Sequence, residues 1–411
     1  EVKYRMGKYQ DGQDLYHNYL FRLKPTGPTE KMKQEAEERL SDCTWALEVI
    51  RKPIVEPELF AILDTSTNTL NTREFSEHSP YLLGDVLYFS SSRFPFEKDR
   101  VFPKRTLNKV LTVTGENFSD PAQEATFNEE SKHTTHTTFN SRGDIMYYAL
   151  CDYVGTTLDI RCDIYMRRQL PDMTWGIAEK LSDTINMAGF TNTQPSIGPV
   201  PGETYEMLYF VSDRPGGKGK KDIWCSKLLD GKFSLPMNVS ELNTPGDDVT
   251  PFCHAQTQTF YFSSDSLQTL GGFDIYRSKW TGKKWGEPVN MGSPINSGSN
   301  DVYYVVTNGG QTAFMATNRQ GSFNQSEEGC CYDLFEVDYV KPQMVAITYL
   351  KKDGQPTDKI LPYTTMTLIE VGNPDAKPFR VDVDASGKYN FELLPGKSYV
   401  LIGEKKGYTP D

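Results

Sequence analysis

The segment Leu208-Tyr209-Phe210-Val211, followed after a glycine-rich loop by Asp222-Ile223-Trp224, decides the fold because close copies of it recur along the chain. Each copy pairs an apolar-aromatic strand with an Asp-apolar-aromatic triplet. The four strands are 145–148, 208–211, 259–262 and 312–315, and their triplets are 163–165, 222–224, 274–276 and 333–335. A fifth strand, 86–89, has no clear triplet. The central aromatic residues are 59, 62, 52 and 53 residues apart, a period typical of β-propellers.

The repeats therefore predict a mainly β chain whose propeller spans 56–341. Five blades fit the period, and six are the alternative. An early extended segment, Leu59 to Leu63, is well placed to close the ring, because the last blade of a propeller commonly borrows a strand from the other end of the chain. The first copy is the poorest, with a long insert from Phe94 to Gln123 where its second hairpin should be.

Two flanking segments differ in pattern from the repeats. Residues 1–55 carry apolar positions at three- and four-residue spacing, which predicts two helices separated by Pro25, Gly27 and Pro28. These helices are either a tetratricopeptide-like unit or a helical hairpin that docks on the next domain. Residues 342–411 contain short alternating strands divided by glycine-containing turns, which predicts a small β-sandwich.

Composition excludes several classes of protein. The formal net charge is −11, which argues against nucleic-acid binding, and no apolar run reaches the roughly 20 residues of a membrane helix. The chain opens inside a charged helical stretch, and we expect it to be a portion of a longer protein. Cys151 and Cys162 flank a hairpin loop and are either a disulfide, as in an oxidising compartment, or two buried thiols. The vicinal pair Cys330 and Cys331 is left unassigned.

The run from Leu208 to Gly217, with the triplet 222–224, resembles the propeller repeats of periplasmic Tol-Pal-type proteins, especially those in OmpA-family multidomain proteins of Bacteroidetes. The tail Asp384 to Phe391, with Lys406-Gly407-Tyr408, is similar to carboxypeptidase-regulatory-like domains. Helices, propeller and sandwich in this order resemble components of the type IX secretion and gliding apparatus.

This resemblance implies a non-enzymatic periplasmic scaffold associated with the outer membrane. Its partners would be other envelope or secretion-complex proteins. In that family a lipid anchor and a peptidoglycan-binding domain, neither of them seen in this chain, attach the protein to the cell envelope.

Two sets of repeated polar residues are the candidate functional positions. The triplet aspartates recur at one point of each copy, so we interpret Asp163, Asp222, Asp274 and Asp333 as acceptors for loop amides that fix hairpin geometry. The loops after the aromatic strands could line one face of the disc, which gives the tentative binding residues Arg93, Asp213, Arg214, Lys218, Asp265 and Arg319. The lysines of 216–221 form the most basic local patch and could meet an anionic partner.

No catalytic motif is evident in the sequence. His133 and His136 are three apart, and in a regular strand they would point to opposite faces, so no shared metal is predicted. Neither a helical HExxH nor a Gly-x-Ser-x-Gly elbow occurs. We therefore predict no enzymatic activity, no metal and no cofactor. The alternative is a glycan-binding or glycan-processing five-bladed propeller, which paired carboxylates about 5 to 10 Å apart in the central channel would favour.

Overall fold

The computed structural model describes most of the chain in two compact units. The first unit is 1–307 with 312–338, and the second is 308–311 with 339–411. The described residues are 2–22, 30–53, 57–63, 70–115, 118–120, 122–307, 309–323, 331–339, 343–352, 355–371, 377–393 and 398–409. Cys330 lies outside them. Among them, no helix has the length and apolar character needed to cross a membrane.

Three helices open the first unit: α1 (Val2–Arg5), α2 (Tyr9–Arg22) and α3 (Glu30–Arg51). Their apolar positions bury Tyr9, Cys43 and Ala46 in one cluster that also contains Leu270 of a propeller loop. The Tyr9 hydroxyl donates a 2.7 Å hydrogen bond to the Leu270 carbonyl, and the Tyr4 hydroxyl donates to that of Thr269. The helices therefore pack on the propeller through both apolar burial and fixed hydrogen bonds.

Five antiparallel sheets of at least four strands follow the helices along the chain. In strand order the first four are β2 (Glu77–Leu83), β3 (Val86–Pro95), β4 (Thr106–Val113), β5 (Gln123–Glu124); β6 (His133–Phe139), β7 (Ile145–Tyr153), β8 (Ile160–Arg168), β9 (Glu179–Lys180); β10 (Asn192–Pro199), β11 (Glu206–Ser212), β12 (Asp222–Leu229), β13 (Lys232–Phe233), with β14 (Met237–Asn238) also on β12; and β15 (Asp248–His254), β16 (Thr259–Ser264), β17 (Asp274–Lys279), β18 (Val289–Asn290). The fifth is β19 (Asp301–Val306), β20 (Thr312–Thr317), β21 (Asp333–Asp338) and the early strand β1 (Leu59–Ile62).

The sheets form a closed ring. The first strands of the sheets, β2, β6, β10, β15 and β19, each contact the next, and β19 contacts β2. Strand β1 completes the fifth sheet by pairing with β21 from Leu59 opposite Asp338 to Ile62 opposite Phe335. The prediction of a mainly β propeller is confirmed, and the edge that β21 would otherwise expose is covered by residues from near the start of the chain.

The first sheet shows what its sequence concealed. Strand β4 supplies the partner of β3 that the sequence did not reveal, within the predicted insert. Lys109 lies opposite Ser91, where the third sheet has Asp222 opposite Ser212. Its buried ammonium donates to the carbonyls of Glu129 and Lys132, whereas the aspartate accepts from loop amides. The motif was missed because the charge at this position is reversed.

One side-chain contact recurs in all five sheets, and we call it the asparagine clamp. In each clamp the carboxamide oxygen accepts the backbone N–H of an apolar strand residue, and its NH₂ donates to the carbonyl of the same residue. The pairs are Asn128 with Val110, Asn186 with Ile164, Asn243 with Ile223, Asn296 with Ile275 and Asn71 with Leu334. The clamp holds the loop that leads to the next sheet against the third strand of its own.

Aromatic side chains fill the space between neighbouring sheets. Tyr209 of the third sheet lies edge-on to Phe260 of the fourth, with ring centroids 4.7 Å apart, and both contact Trp285. The Trp285 indole N–H donates a 3.2 Å hydrogen bond to the Tyr209 hydroxyl. Adjacent sheets therefore bury one another's faces, which explains why the aromatic strand residues repeat with the blade period.

Among its described residues, the second unit contains three small antiparallel sheets. Strand β22 (Gln343–Ile347) pairs with β27 (Lys388–Glu392), β23 (Tyr349–Lys352) with β24 (Gln355–Ile360), and β25 (Thr365–Glu370) lies between β26 (Phe379–Asp382) and β28 (Tyr399–Glu404). The buried residues Met366, Leu368, Val383, Tyr389 and Phe391 form its core.

Removing one clamp should destabilise the ring. Asn243→Ala leaves the buried N–H and C=O of Ile223 without their side-chain partners, which were 2.9 and 2.8 Å away. We expect the free energy of unfolding in urea to fall by about 2 to 4 kcal/mol. As a control, Asn18→Ala on the exposed side of α2 should change it by about 0.5 kcal/mol at most. Equal effects of the two substitutions would contradict the proposed role of the clamp.

Candidate functional site

A ring of strained residues lines the centre of the propeller, which we call the hub. Each first strand has an irregularity in its pairing, and the residue at that point has positive φ although it is not glycine. These residues are Ser79, His136, Gln194, Thr250 and Tyr303, with φ of 55°, 59°, 50°, 53° and 56°. Bulky and β-branched residues rarely adopt this conformation, and such strain concentrates at functional sites.

Hydrogen bonds join the hub side chains to one another. The Tyr303 hydroxyl oxygen is 2.9 Å from His136 Nε2 and accepts a 3.1 Å bond from Gln194 Nε2. His136 Nδ1 is 3.0 Å from the Thr193 hydroxyl. The Thr250 backbone N–H donates to Gln194 Oε1 at 2.8 Å. Residues from four of the sheets are thus connected across the centre of the ring.

The two hub imidazoles are neutral at pH 7. The His78 ring stacks on the ring of Tyr303 at 5.3 Å and lies 5.6 Å from that of His136. Burial lowers the pKa of His78 to about 4 and that of His136 well below its usual value, and the mutual repulsion of the two rings lowers the second further. The hub therefore presents neutral hydrogen-bonding groups.

Two cavities meet at this ring of side chains, and His136, Gln194, Thr250 and Tyr303 line both. The smaller has a volume of about 40 Å³ and the larger about 850 Å³. We call the larger one the hub cavity. Its volume is in the range of sites that hold organic ligands.

Most of the residues that line the hub cavity have polar side chains, and the lining includes one prominent hairpin. The β7–β8 hairpin contributes Val154 and the segment from Leu158 to Arg161. Leu158 is 79% exposed. A disulfide between Cys151 and Cys162 joins the two strands at the base of this loop. The cross-link holds an exposed, partly apolar rim above a polar interior.

The predicted arginines point back into their own sheets. Each donates to the residue two positions earlier and to carbonyls of the preceding loop. Arg93 reaches the Leu70 carbonyl at 2.7 Å and Glu77 at 3.0 Å. Arg319 reaches the Pro294 carbonyl and Asp301, both at 2.6 Å, and Arg214 bonds Asn192 at 2.6 Å. These contacts stabilise the turns.

The remaining predicted loop residues also have structural contacts. Asp213 accepts the N–H of Thr191 at 2.7 Å, and Asp265 accepts that of Asp247 at 2.8 Å, at the equivalent point of the next sheet. The Lys218 ammonium donates to the Ser240 carbonyl at 2.5 Å. Of the six tentative binding residues, Asp213 is the one that lines the hub cavity in the described part of the chain.

Three triplet aspartates accept loop amides. Asp222 accepts from Lys218 at 3.0 Å, Asp274 from Leu270 at 2.7 Å and Asp333 from Phe323 at 2.6 Å. Asp163 instead forms an ion pair with Lys180 at 2.7 Å. Burial, reinforced by the nearby Asp301, raises the pKa of Asp274 well above its usual value.

The acidic residues that begin the first strands of three sheets form hydrogen bonds within the fold. Glu77 accepts from Ser91 at 2.7 Å, and Asp301 accepts from Thr317 at 2.6 Å. Asp248 accepts the Thr244 N–H at 2.5 Å, and burial raises its pKa to about 6. In the described ranges no group of three or more His, Cys, Asp or Glu residues could hold a metal ion.

Sequence reasoning missed the hub residues. Ser, His, Gln, Thr and Tyr are all polar but differ in size and functional group, so the five positions do not form a recognisable motif. The available signal was Pro80, Pro195 and Pro251, each of which directly follows a residue with positive φ. Their recurrence marks the same backbone feature in three sheets.

Comparison with known proteins gives structural likeness only. No protein-family model and no curated protein matches the chain. A GH43 endo-arabinanase from Bacillus licheniformis is 13% identical with a TM-score of 0.41, covering 70% of this chain and 99% of its own. A GH32 β-fructofuranosidase from Bombyx mori is 10% identical with a TM-score of 0.39, covering 92% and 89%. An N-acetylgalactosamine deacetylase from F. plautii is 13% identical with a TM-score of 0.39, covering 69% and 96%.

These findings correct the functional interpretation of the sequence. These three structures are carbohydrate-acting enzymes and not OmpA-family or type IX secretion components. The expectations of an OmpA-family identity, a non-enzymatic secretion scaffold and a tetratricopeptide unit were therefore wrong. The short repeat motif characterises a propeller blade, and it does not distinguish the families that use one. Identities of 10 to 13% and TM-scores below 0.5 assign no activity to this chain.

The neutral His78 should make stability depend on pH. Its pKa is about 4 in the folded chain and about 6.5 when unfolded, so below pH 6.5 the unfolded chain takes up the proton first. The contribution of neutral His78 to the free energy of unfolding is therefore fully present above pH 6.5 and is lost as the pH falls towards 4. His78→Gln should therefore flatten the pH dependence of unfolding free energy between pH 6.5 and 4, measured in urea. The control is His17→Gln on α2. An unchanged slope for His78→Gln would contradict this assignment.

Proposed function

We propose that this chain is a five-bladed propeller that binds a glycan in its hub cavity. The observation that carries the proposal is a cavity of about 850 Å³ at the centre of the ring, lined mostly by residues with polar side chains that come from all five sheets. Five sheets in a closed ring support the blade count of five over six. A saccharide matches the site because its many hydroxyl groups each need a donor or an acceptor.

The side chains of the hub are suited to bind a part of the ligand that is uncharged and carries many hydroxyl groups. The Tyr303 hydroxyl, the Gln194 carboxamide and the Thr193 hydroxyl can each both donate and accept. The imidazole of His78 is uncharged, and its Nδ1 is fixed by a 2.7 Å contact with the Ser79 hydroxyl. The existing bonds among these side chains fix their orientation before a ligand arrives, which lowers the entropic cost of binding.

We propose the same domain boundaries that the sequence predicts. We propose a helical segment over 1–55 that docks on the propeller, a propeller over 56–341 and a regulatory-like sandwich over 342–411. The contact between Tyr9 and Leu270 supports the docking role of the helices. The Cys151–Cys162 disulfide supports an oxidising compartment such as the periplasm. Envelope protein partners remain a prediction from sequence.

A specific observation favours glycan hydrolysis as a second function of the same site. Two carboxylates, Asp159 and Asp213, line the hub cavity from neighbouring sheets. A pair of carboxyl groups on either side of a glycosidic bond is the minimum set for its hydrolysis, one as the acid and the other as the base or nucleophile. The Thr191 amide holds Asp213 in position.

Loss of a hub hydroxyl should weaken glycan binding. With the intact chain, a panel of soluble polysaccharides tested by isothermal titration should yield at least one ligand. Tyr303→Phe should weaken its binding about 5- to 20-fold, because one ligand hydroxyl and two hub side chains lose a partner. Tyr165→Phe, outside the cavity, is the control. Absence of any glycan ligand, or full affinity of Tyr303→Phe, would overturn the proposal.

Hydrolysis is tested separately through the two aspartates. If the chain cleaves a bound glycan, Asp159→Asn and Asp213→Asn should each reduce the release of reducing ends by about 100-fold or more while binding persists. Asp265→Asn is the matched control, because Asp265 has the same structural contact as Asp213 but does not line the cavity. No cleavage by the intact chain, or equal loss in the control, would exclude this second function.

A further inference from the structure

We propose that the hub cavity selects an acidic glycan whose sugar rings carry carboxylates, and that Arg161 and Lys221 bind those carboxylates. This inference rests on the proposed function and names its ligand class. Arg161 and Lys221 are the two basic residues among those that line the cavity within the described chain. They come from neighbouring sheets, one from β8 and the other from the residue before β12.

The backbone of Arg161 is held on both sides. It pairs with Asp152 across the β7–β8 hairpin, and the next residue, Cys162, is cross-linked to Cys151. Its side chain is exposed at the cavity rim. A guanidinium group on a fixed backbone suits bidentate recognition of a planar carboxylate, which gives directional selectivity as well as charge.

The backbone of Lys221 is fixed by the adjoining sheet. Its carbonyl accepts the N–H of Asp248 at 2.9 Å, and the preceding N–H of Lys220 donates to the Gly246 carbonyl at 3.1 Å. The Lys221 side chain remains exposed at the cavity wall. Lys218 in the same loop differs, since its ammonium is bonded to the Ser240 carbonyl. The loop thus directs one of its lysines to the cavity and uses another for its own structure.

The placement of these cations runs against the charge of the protein. The chain has a net charge of −11, yet the cavity wall carries two cations against two acids, Asp159 and Asp213. The acid Asp213 is partly compensated by the amide of Thr191. A ligand with both hydroxyls and carboxylates matches the whole wall: neutral hub groups contact its hydroxyls and the two basic groups its carboxylates.

A pair of ligands that differ in charge alone tests the inference. The intact chain is titrated with oligogalacturonate and with the same oligomer after complete methyl esterification. We expect the acidic oligomer to bind at least 10-fold more tightly at low salt, and this preference to shrink as salt rises, because the contacts lie near solvent.

Three variants then locate the preference. Arg161→Gln and Lys221→Gln should each weaken binding of the acidic oligomer about 5- to 20-fold and leave the affinity for the esterified oligomer unchanged. Lys218→Gln removes the same charge from the same loop outside the cavity, and it should change neither affinity. Thermal unfolding of each variant confirms that the ring is intact.

The possible failures are distinguishable. Equal affinity for the two oligomers, or equal effects of Lys218→Gln and Lys221→Gln, overturns the acidic ligand class and leaves glycan binding in place. If neither oligomer binds and the neutral polysaccharide panel also gives no ligand, the proposed function itself fails. If neither oligomer binds but a neutral polysaccharide does, only the acidic class is overturned.

Discussion

The asparagine clamp is the interaction on which the propeller depends most. A single carboxamide satisfies both polar groups of one buried peptide unit, so the loop leaving each sheet has one register relative to the strand it covers. Five such clamps, at equivalent points of five sheets, fix the same alignment of loop and strand around the ring. The hydrophobic effect also drives burial of the aromatic side chains between sheets, but it is non-directional. The hydrogen bonds of the clamp are directional, and they fix the position of each loop on its strand.

The hub shows the opposite balance between repetition and variation. Its backbone repeats closely, with one residue of positive φ in each inner strand, while the side chains at those points all differ. A uniform backbone therefore places five different side chains at the centre of the ring, and four of them line the hub cavity. Two of them, Gln194 and Tyr303, connect through hydrogen bonds that also reach His136, and these three residues line both the small cavity and the hub cavity.

Sequence reasoning succeeded where one residue type repeats, and it failed where the charge of a repeated position is reversed or where only the backbone conformation repeats. The aromatic strands and the triplet aspartates led to the propeller and to its closing strand. The first sheet escaped because Lys109 replaces the aspartate and reverses the direction of its hydrogen bonds. Arg93, Arg214 and Arg319 could be placed in loops, but their guanidinium groups fold back onto carbonyls, which depends on the path of the preceding loop. The hub could not be assembled from sequence, because only φ relates its members.

The pairing of β1 with β21 has a consequence for synthesis in the cell. Residues of β1 leave the ribosome about 275 positions before their partners. At about 5 to 20 residues per second, roughly 14 to 55 seconds pass in which β1 has no strand to join. During that interval the propeller ring is incomplete, and its two ends expose unpaired strand edges. A chaperone that shields Leu59–Ile62, or a fast temporary association of that segment with the emerging first sheet, would protect the growing polypeptide until the circle can shut.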